Sequence, residues 1–154
     1  MNKMLKTDSI DYVIASDTDS IYVEMKDLVL NAFSGDDNDQ QKVVSVIDQF
    51  CEQKVQPYIN KSYEELALYM NAYQQKMQMK RETIANKGIW TGKKHYILNA
   101  WNIEGVQFQQ PKLKLQGIEA VRSSTPVVCR DNIVKALEII MNGNEQQLQQ
   151  FISD

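Results

Sequence analysis

Apolar residues change their spacing three times along this chain, and those changes limit what it can fold into. Residues 10–25 alternate as strands do: "IDYVIAS" and "IYVEM" are rich in β-branched and aromatic residues, with polar turn formers between them. From Gln40 the spacing becomes three and four, through Val43, Ile47, Phe50, Cys51 and Val55, with Asp39 as the N-cap. Pro57 is expected to break or kink this helix, because it has no N–H to give. Tyr58, Ser62, Leu66, Tyr69 and Tyr73 continue the helical period, and this aromatic stripe is expected in the core. "KMQMKRETIA" and "KKHYILNAWNIEG" then read as strands joined by "NKGIWTG", where Gly88 and Gly92 suit a turn. "PKLKLQGIEAV" is a further extended segment. At "SSTP" the helical period returns, with Thr125 as N-cap and Pro126 at the first helical position. Ile133, Leu137 and Ile140 form one apolar face, Gly143 stops the helix, and Asn144 starts a short last one. That last helix carries Leu148, Phe151 and Ile152, with no obvious place to bury them. Hairpin, two helices, strands and helices in this order predict an α+β fold with an antiparallel sheet.

With 154 residues the chain is long enough for a real core, and its 43% apolar and 24% charged residues are ordinary for a soluble protein. No apolar run approaches the roughly 20 residues that span a bilayer, and "MNKMLKTDSIDY" has no signal-type apolar stretch. A cytoplasmic protein that does not engage membranes is therefore expected, with Cys51 and Cys129 as thiols rather than a disulfide. "SGDDNDQ", residues 34–40, reads as a solvated acidic loop: counted from Asp37, the sixth position is Lys42, where a calcium loop needs Gly. The net charge is −3, yet it is unevenly spread. From Lys76 to Arg122 nine bases stand against three acids, so that window carries +6 and the remainder −9. Such asymmetry suits an anionic polymer, and equally a surface of merely mixed charge.

The first hairpin, "YVIASDTDSIYVEM", places Asp17 and Asp19 one residue apart at its tip. Asp and Ser favour turns for local hydrogen-bonding reasons, so a solvated turn is one reading. A metal site is the other. Mg²⁺ takes one or two protein carboxylates and fills its octahedron with water and phosphate oxygens. Residues two apart project to one side of an extended strand, and a dication relieves the repulsion between them. Spacing alone leaves both readings open.

"SDTDSIYV" resembles the "YGDTDS" element of family B DNA polymerases, in the same hairpin setting. "KRETIANKGIWTGKKHYILNAWNIEG" resembles the palm segment that ends in that family's "KKRY" motif, especially in the T-even bacteriophage enzymes. "PKLKLQGIEAVRSSTP" is similar to the stretch where palm passes into thumb. The resemblance runs from about Asp11 to beyond Pro126, with the motifs in the family's order. It implies an antiparallel palm-type sheet with packed helices: residues 1–121 as the C-terminal part of a palm, and 122–154 as the incomplete start of a thumb. It further implies that Asp19 binds both catalytic metals, that Asp17 is its partner, and that Glu82 lies near the metal centre. Two Mg²⁺ ions, or Mn²⁺ in their place, are the implied cofactors. Lys93, Lys94, His95 and Tyr96 match the element that holds the primer strand, and Lys112 and Lys114 are further DNA-contact candidates. The implied partners are primer-template DNA, deoxynucleoside triphosphates and an upstream polymerase half. The implied setting is a phage-infected bacterial cell.

Two positions depart from the family pattern. Ser16 replaces the usual Gly before the first Asp, and His95 stands where Arg or Lys is usual. A histidine near its reference pKa is mostly neutral at pH 7, so one DNA contact is expected to be weaker. The earlier palm motif with the other metal-binding aspartate, the fingers helix, the exonuclease domain and the clamp-binding tail have no counterpart in this sequence. The expectation is nucleotidyl transfer only after assembly with an upstream chain, in a split enzyme; the alternatives are a non-catalytic DNA-binding module or an inactive truncated remnant. Plainer roles also stand. Glu82 can pair with a neighbouring base, Lys93 and Lys94 can mark a solvated strand edge, Tyr96 and Trp101 can be core, and Trp90 can pack over the loop.

Overall fold

A computed structural model describes residues 7–33 and 39–153. Most of the acidic loop, residues 34–38, lies outside the described residues. The fold is α+β, as expected, with an antiparallel three-stranded sheet and packed helices. The chain divides into two compact units. One takes the described residues up to Ile84 together with Ile103–Gln107; the other takes Ala85–Asn102 and the described residues from Phe108 onward.

The first unit opens with the hairpin, β1 (Val13–Asp17) against β2 (Ser20–Val23). The pairs are Val13 with Val23, Ala15 with Tyr22, Ser16 with Ile21 and Asp17 with Ser20, so Ile14 is an extra, bulged residue. Tyr12 is buried, and its hydroxyl donates to Asp27 Oδ2 at 3.0 Å. Asp27 sits on α1 (Lys26–Ala32), which buries Leu28. This short helix has no side-chain N-cap, and so lacks the signal by which a helix start is read.

Next comes α2 (Gln40–Phe50), capped as expected: Asp39 accepts from the Gln41 N–H at 3.1 Å. It buries Val44 and Ile47. Pro57 neither ends nor breaks the run. A π-helical turn, Cys51–Val55, instead leads into α3 (Gln56–Tyr69), and the Gln56 N–H bonds back five residues to the Cys51 carbonyl. An α-helical Pro57 would drive its ring against the carbonyl four residues back. Widening the preceding turn changes the ladder where that clash would fall. The aromatic stripe is not core. No residue of α3 is buried, and Tyr58, Leu68, Tyr69 and Tyr73 are all largely exposed.

The sheet has the order β3 (Thr83–Gly92), β4 (His95–Ile103), β5 (Val106–Gln116). The central strand, β4, is buried almost throughout, as a strand covered on both faces must be. The glycines placed in a turn by sequence lie in β3 instead. A Cβ at Gly88 would sit 2.8 Å from the Trp90 ring and 2.9 Å from Leu98, so Gly88 is there for close packing within the sheet. The actual turns are Lys93–Lys94 and Glu104–Gly105. In the latter both residues have positive φ, +50° and +87°, the signature of a type I′ hairpin turn. Pro111 is tolerated because β5 is an edge strand.

In the second unit α4 (Val127–Asn142) lays Ile133, Val134, Leu137 and Met141 on Ile97, Ile118 and Ala120, with Leu113 and Leu115 of β5 packed alongside. Pro126 is the N-cap, one residue later than the sequence suggests. Gly143 is the C-cap, and Asn144 and Gln147 exchange side-chain-to-backbone hydrogen bonds at 3.0 Å, a capping box for α5 (Glu145–Ser153). As expected, α5 buries no residue. The buried Asn99 amide donates to Asn86 Oδ1 and to Asn142 Oδ1, and Lys87 Nζ donates to the Met141 carbonyl at 2.6 Å. These bonds fasten the last turn of α4 to the sheet. Both cysteines are free thiols.

Candidate functional site

Asp17 ends β1, and Asp19 is the second residue of the two-residue turn. The two carboxylates are therefore not paired along one extended strand, as spacing had implied; the turn presents Asp19. Thr18 between them has φ +53°. Only the first turn residue is left-handed, which gives the φ signs of a type II′ turn, where Gly is preferred. Thr18 Oγ1 donates to Asp17 Oδ1 at 3.1 Å, and Ser20 Oγ donates to the Asp17 carbonyl at 3.0 Å. Two side chains thus hold the tip: Thr18 bonds the Asp17 carboxylate and Ser20 the Asp17 backbone. Ser16, the departure before the first Asp, has no positive φ and pairs with Ile21 in ordinary strand geometry. A glycine's freedom is not needed there.

Asp17 is half-buried and Asp19 exposed. Among the described residues, nothing donates a hydrogen bond to the Asp19 carboxylate. Carboxylate oxygens are the ligand type that hard divalent cations prefer, so the pair fits an Mg²⁺-type ion as a partial ligand set. The described residues contain no group of three or more His, Cys, Asp or Glu able to hold a metal by themselves. Glu82 belongs to the same unit, is exposed, and its carbonyl accepts from the Glu104 N–H at 2.7 Å. Nearby in sequence, Arg81 pairs with Asp48 in a partly buried ion pair at 2.5 Å. Burial raises the Cys51 thiol pKa, and the Arg81 charge opposes that shift.

The basic candidates lie in the second unit. Lys93 and Lys94 form the turn between β3 and β4, both exposed, and Lys94 has φ +62°. His95 is half-buried at the start of β4, while Tyr96 is buried and belongs to the packing. On β5, Lys112 and Lys114 share one face, opposite Leu113 and Leu115, which pack on the core. Lys112 Nζ lies 4.2 Å from the centre of the Phe108 ring. The four lysines are thus carried by two elements of one sheet, on its surface. Sequence reasoning missed Gly117 (φ +72°), which packs against the Lys94 carbonyl and the His95 ring. Its only signal was a glycine closing a run of alternating residues.

Comparison with known proteins gives the family of the chain. Residues 3–151 match the model of the family described as divergent family B DNA polymerase. The DNA-directed DNA polymerase of Escherichia phage RB69 is 34% identical over 153 residues, covering 94% of this chain. That of Enterobacteria phage T4 is 32% identical over 159 residues, covering 98%. The chain spans only 17% and 18% of the length of these two relatives. No described helix is long and apolar enough to cross a membrane. By its match over nearly the whole sequence, the chain belongs to the divergent family B DNA polymerases.

Proposed function

We propose that this chain supplies the C-terminal palm and the start of the thumb to a DNA-directed DNA polymerase. Residues 1–121 form the palm part and residues 122–154 begin the thumb. The observation that supports this most is the Asp17–Ser20 hairpin tip, held by its own side chains, in a chain of this family. Asp19 and Asp17 hold part of a divalent-metal site, Mg²⁺ or Mn²⁺, and Glu82 lies near it. When bound, two such ions activate the attacking primer 3′ oxygen and stabilise the leaving pyrophosphate oxygen. The chain's own residues orient: Thr18 and Ser20 fix the tip, so Asp19 meets its ligand already placed. Lys93 and Lys94, with Lys112 and Lys114, neutralise primer-template phosphates, and His95 adds a hydrogen-bond donor, contacts that position a duplex without reading its sequence. Tyr96 supports this element from the core. The nucleotide substrate and the remaining metal ligands come with an upstream polymerase half.

The test is Mg²⁺-dependent primer extension by this chain alone and mixed with a separately produced upstream half. Extension is expected only in the mixture and is abolished by Asp19→Ala, with assembly intact. Near-normal synthesis by that variant would overturn the assignment of Asp19. A second reading is a DNA-binding module without synthesis, favoured by the want of a three-ligand cluster among the described residues. It predicts duplex binding indifferent to Asp19 and a mixture that assembles but does not extend.

A further inference from the structure

Gly117 is the point where the end of β5 meets the Lys93–Lys94 turn. A Cβ on Gly117 would lie 2.3 Å from the Lys94 carbonyl oxygen and 2.5 Å from His95 Cδ2. The first obstacle is backbone and has no rotamer to escape into. Gly117 has φ +72° and Lys94 φ +62°, so two left-handed residues abut. The segment that follows is well held. Arg122 donates to the Gly117 carbonyl at 3.4 Å and pairs with Glu119 at 3.4 Å, while Ile118 and Ala120 enter the core.

We propose that Gly117 is a positioning residue for DNA contact. Its missing side chain lets the core-anchored segment 117–122 seat the Lys93–Lys94 turn and fix where Lys93 and Lys94 present their charge, and His95 its donor, to phosphate. This rests on reading that turn as a DNA contact. It goes further in naming what holds the turn, and in making the seat steric rather than ionic. A lysine turn without such a seat would still attract phosphate, but with its side chains spread over many directions.

The chain has a single histidine, so the imidazole resonances report this turn unambiguously. Gly117→Ala is expected to shift the His95 Hδ2 resonance, weaken binding to a short duplex several-fold, and make its salt dependence shallower by about one unit for a lost phosphate contact. Gly105→Ala is the control: Gly105 has φ +87° with nothing within 4 Å of an added Cβ, so it carries the backbone strain without the collision. It is expected to leave the His95 resonance and the salt slope unchanged. A folded Gly117→Ala chain with an unmoved His95 resonance, or with an unchanged salt slope, overturns the proposal. So does a Gly105→Ala chain showing the same changes. Should Gly117→Ala not fold, the unmodified chain is titrated with duplex: the His95 Hδ2 and Gly117 amide resonances must both move, and a stationary Gly117 amide overturns the seat. No duplex binding by the unmodified chain would overturn the DNA reading, and the proposal with it. The His95 shift in Gly117→Ala, read without DNA, separates that failure from failure of the seat.

Discussion

Thr18 holds a β-branched side chain at φ +53°, where L residues lose about 1–2 kcal/mol. Such strain persists only where its surroundings enforce it, and it clusters at functional sites. Here two hydrogen bonds into Asp17, from Thr18 and from Ser20, supply the enforcement. Thr18→Gly is therefore expected to raise stability by about 0.5–1 kcal/mol, since glycine's extra unfolded-state entropy offsets part of the relief. Urea unfolding midpoints measure this. If the strain serves to place Asp19, the same variant extends primers less well in an assembled enzyme. The two cysteines offer another contrast. Burial raises the Cys51 thiol pKa, whereas Cys129 is exposed. Only Cys129 is expected to react promptly with an aromatic disulfide under native conditions, with Cys51 about tenfold slower or more. Because the folded pKa of Cys51 lies above the unfolded one, its contribution to stability is complete below the ordinary thiol range. That contribution is lost as pH rises through the folded value. Unfolding midpoints should therefore fall with pH there, and Cys51→Ala should remove that part of the slope.

At the scale of elements, legibility followed whether a residue's role was local. The hairpin, the Asp39 cap, the Gly143 stop and the Asn144 start rest on interactions within a few residues, and the sequence shows them. The misread elements depend on distant partners. Gly88 and Gly92 look like turn residues, but Gly88 is in a strand because the Trp90 and Leu98 side chains occupy the space a Cβ would take. The Tyr58–Tyr73 stripe has the period of a buried face, yet period says nothing about whether a covering surface is present. The π turn before Pro57 is invisible because a proline announces a conflict without stating how the backbone resolves it. At the candidate site, Asp17 and Asp19 could be found from sequence, while the left-handed Thr18 and the seat at Gly117 could not. One variant tests the strand assignment. Gly88→Ala must push the Trp90 ring aside and is expected to cost about 1–3 kcal/mol. A turn glycine of the kind the sequence suggested would lose stability without disturbing a tryptophan, so a shift in Trp90 fluorescence accompanying the loss identifies the packing cause.

Large apolar side chains are exposed in several places among the described residues. Leu68, Tyr69, Met70 and Tyr73 follow one another at the end of α3 with exposures of 81, 86, 66 and 103%. Val13, Ile14 and Ile21 are exposed on a hairpin that forms a two-stranded sheet among the described residues. Patches of this kind mark interaction sites or aggregation liabilities, and a net charge of only −3 gives little repulsion against association. The isolated chain is thus expected to self-associate as its concentration rises, with a sedimentation coefficient that climbs accordingly. Leu68→Lys combined with Tyr69→Lys should suppress this, because both side chains are exposed and their loss costs the fold little, within about 0.5 kcal/mol each. The same double variant distinguishes two origins of the exposed surface. If an upstream polymerase half covers α3, the variant assembles with it less tightly than the unmodified chain, and extension falls in proportion to complex formed. If the half docks elsewhere, assembly and extension are unchanged, and the α3 stripe contributes to self-association alone.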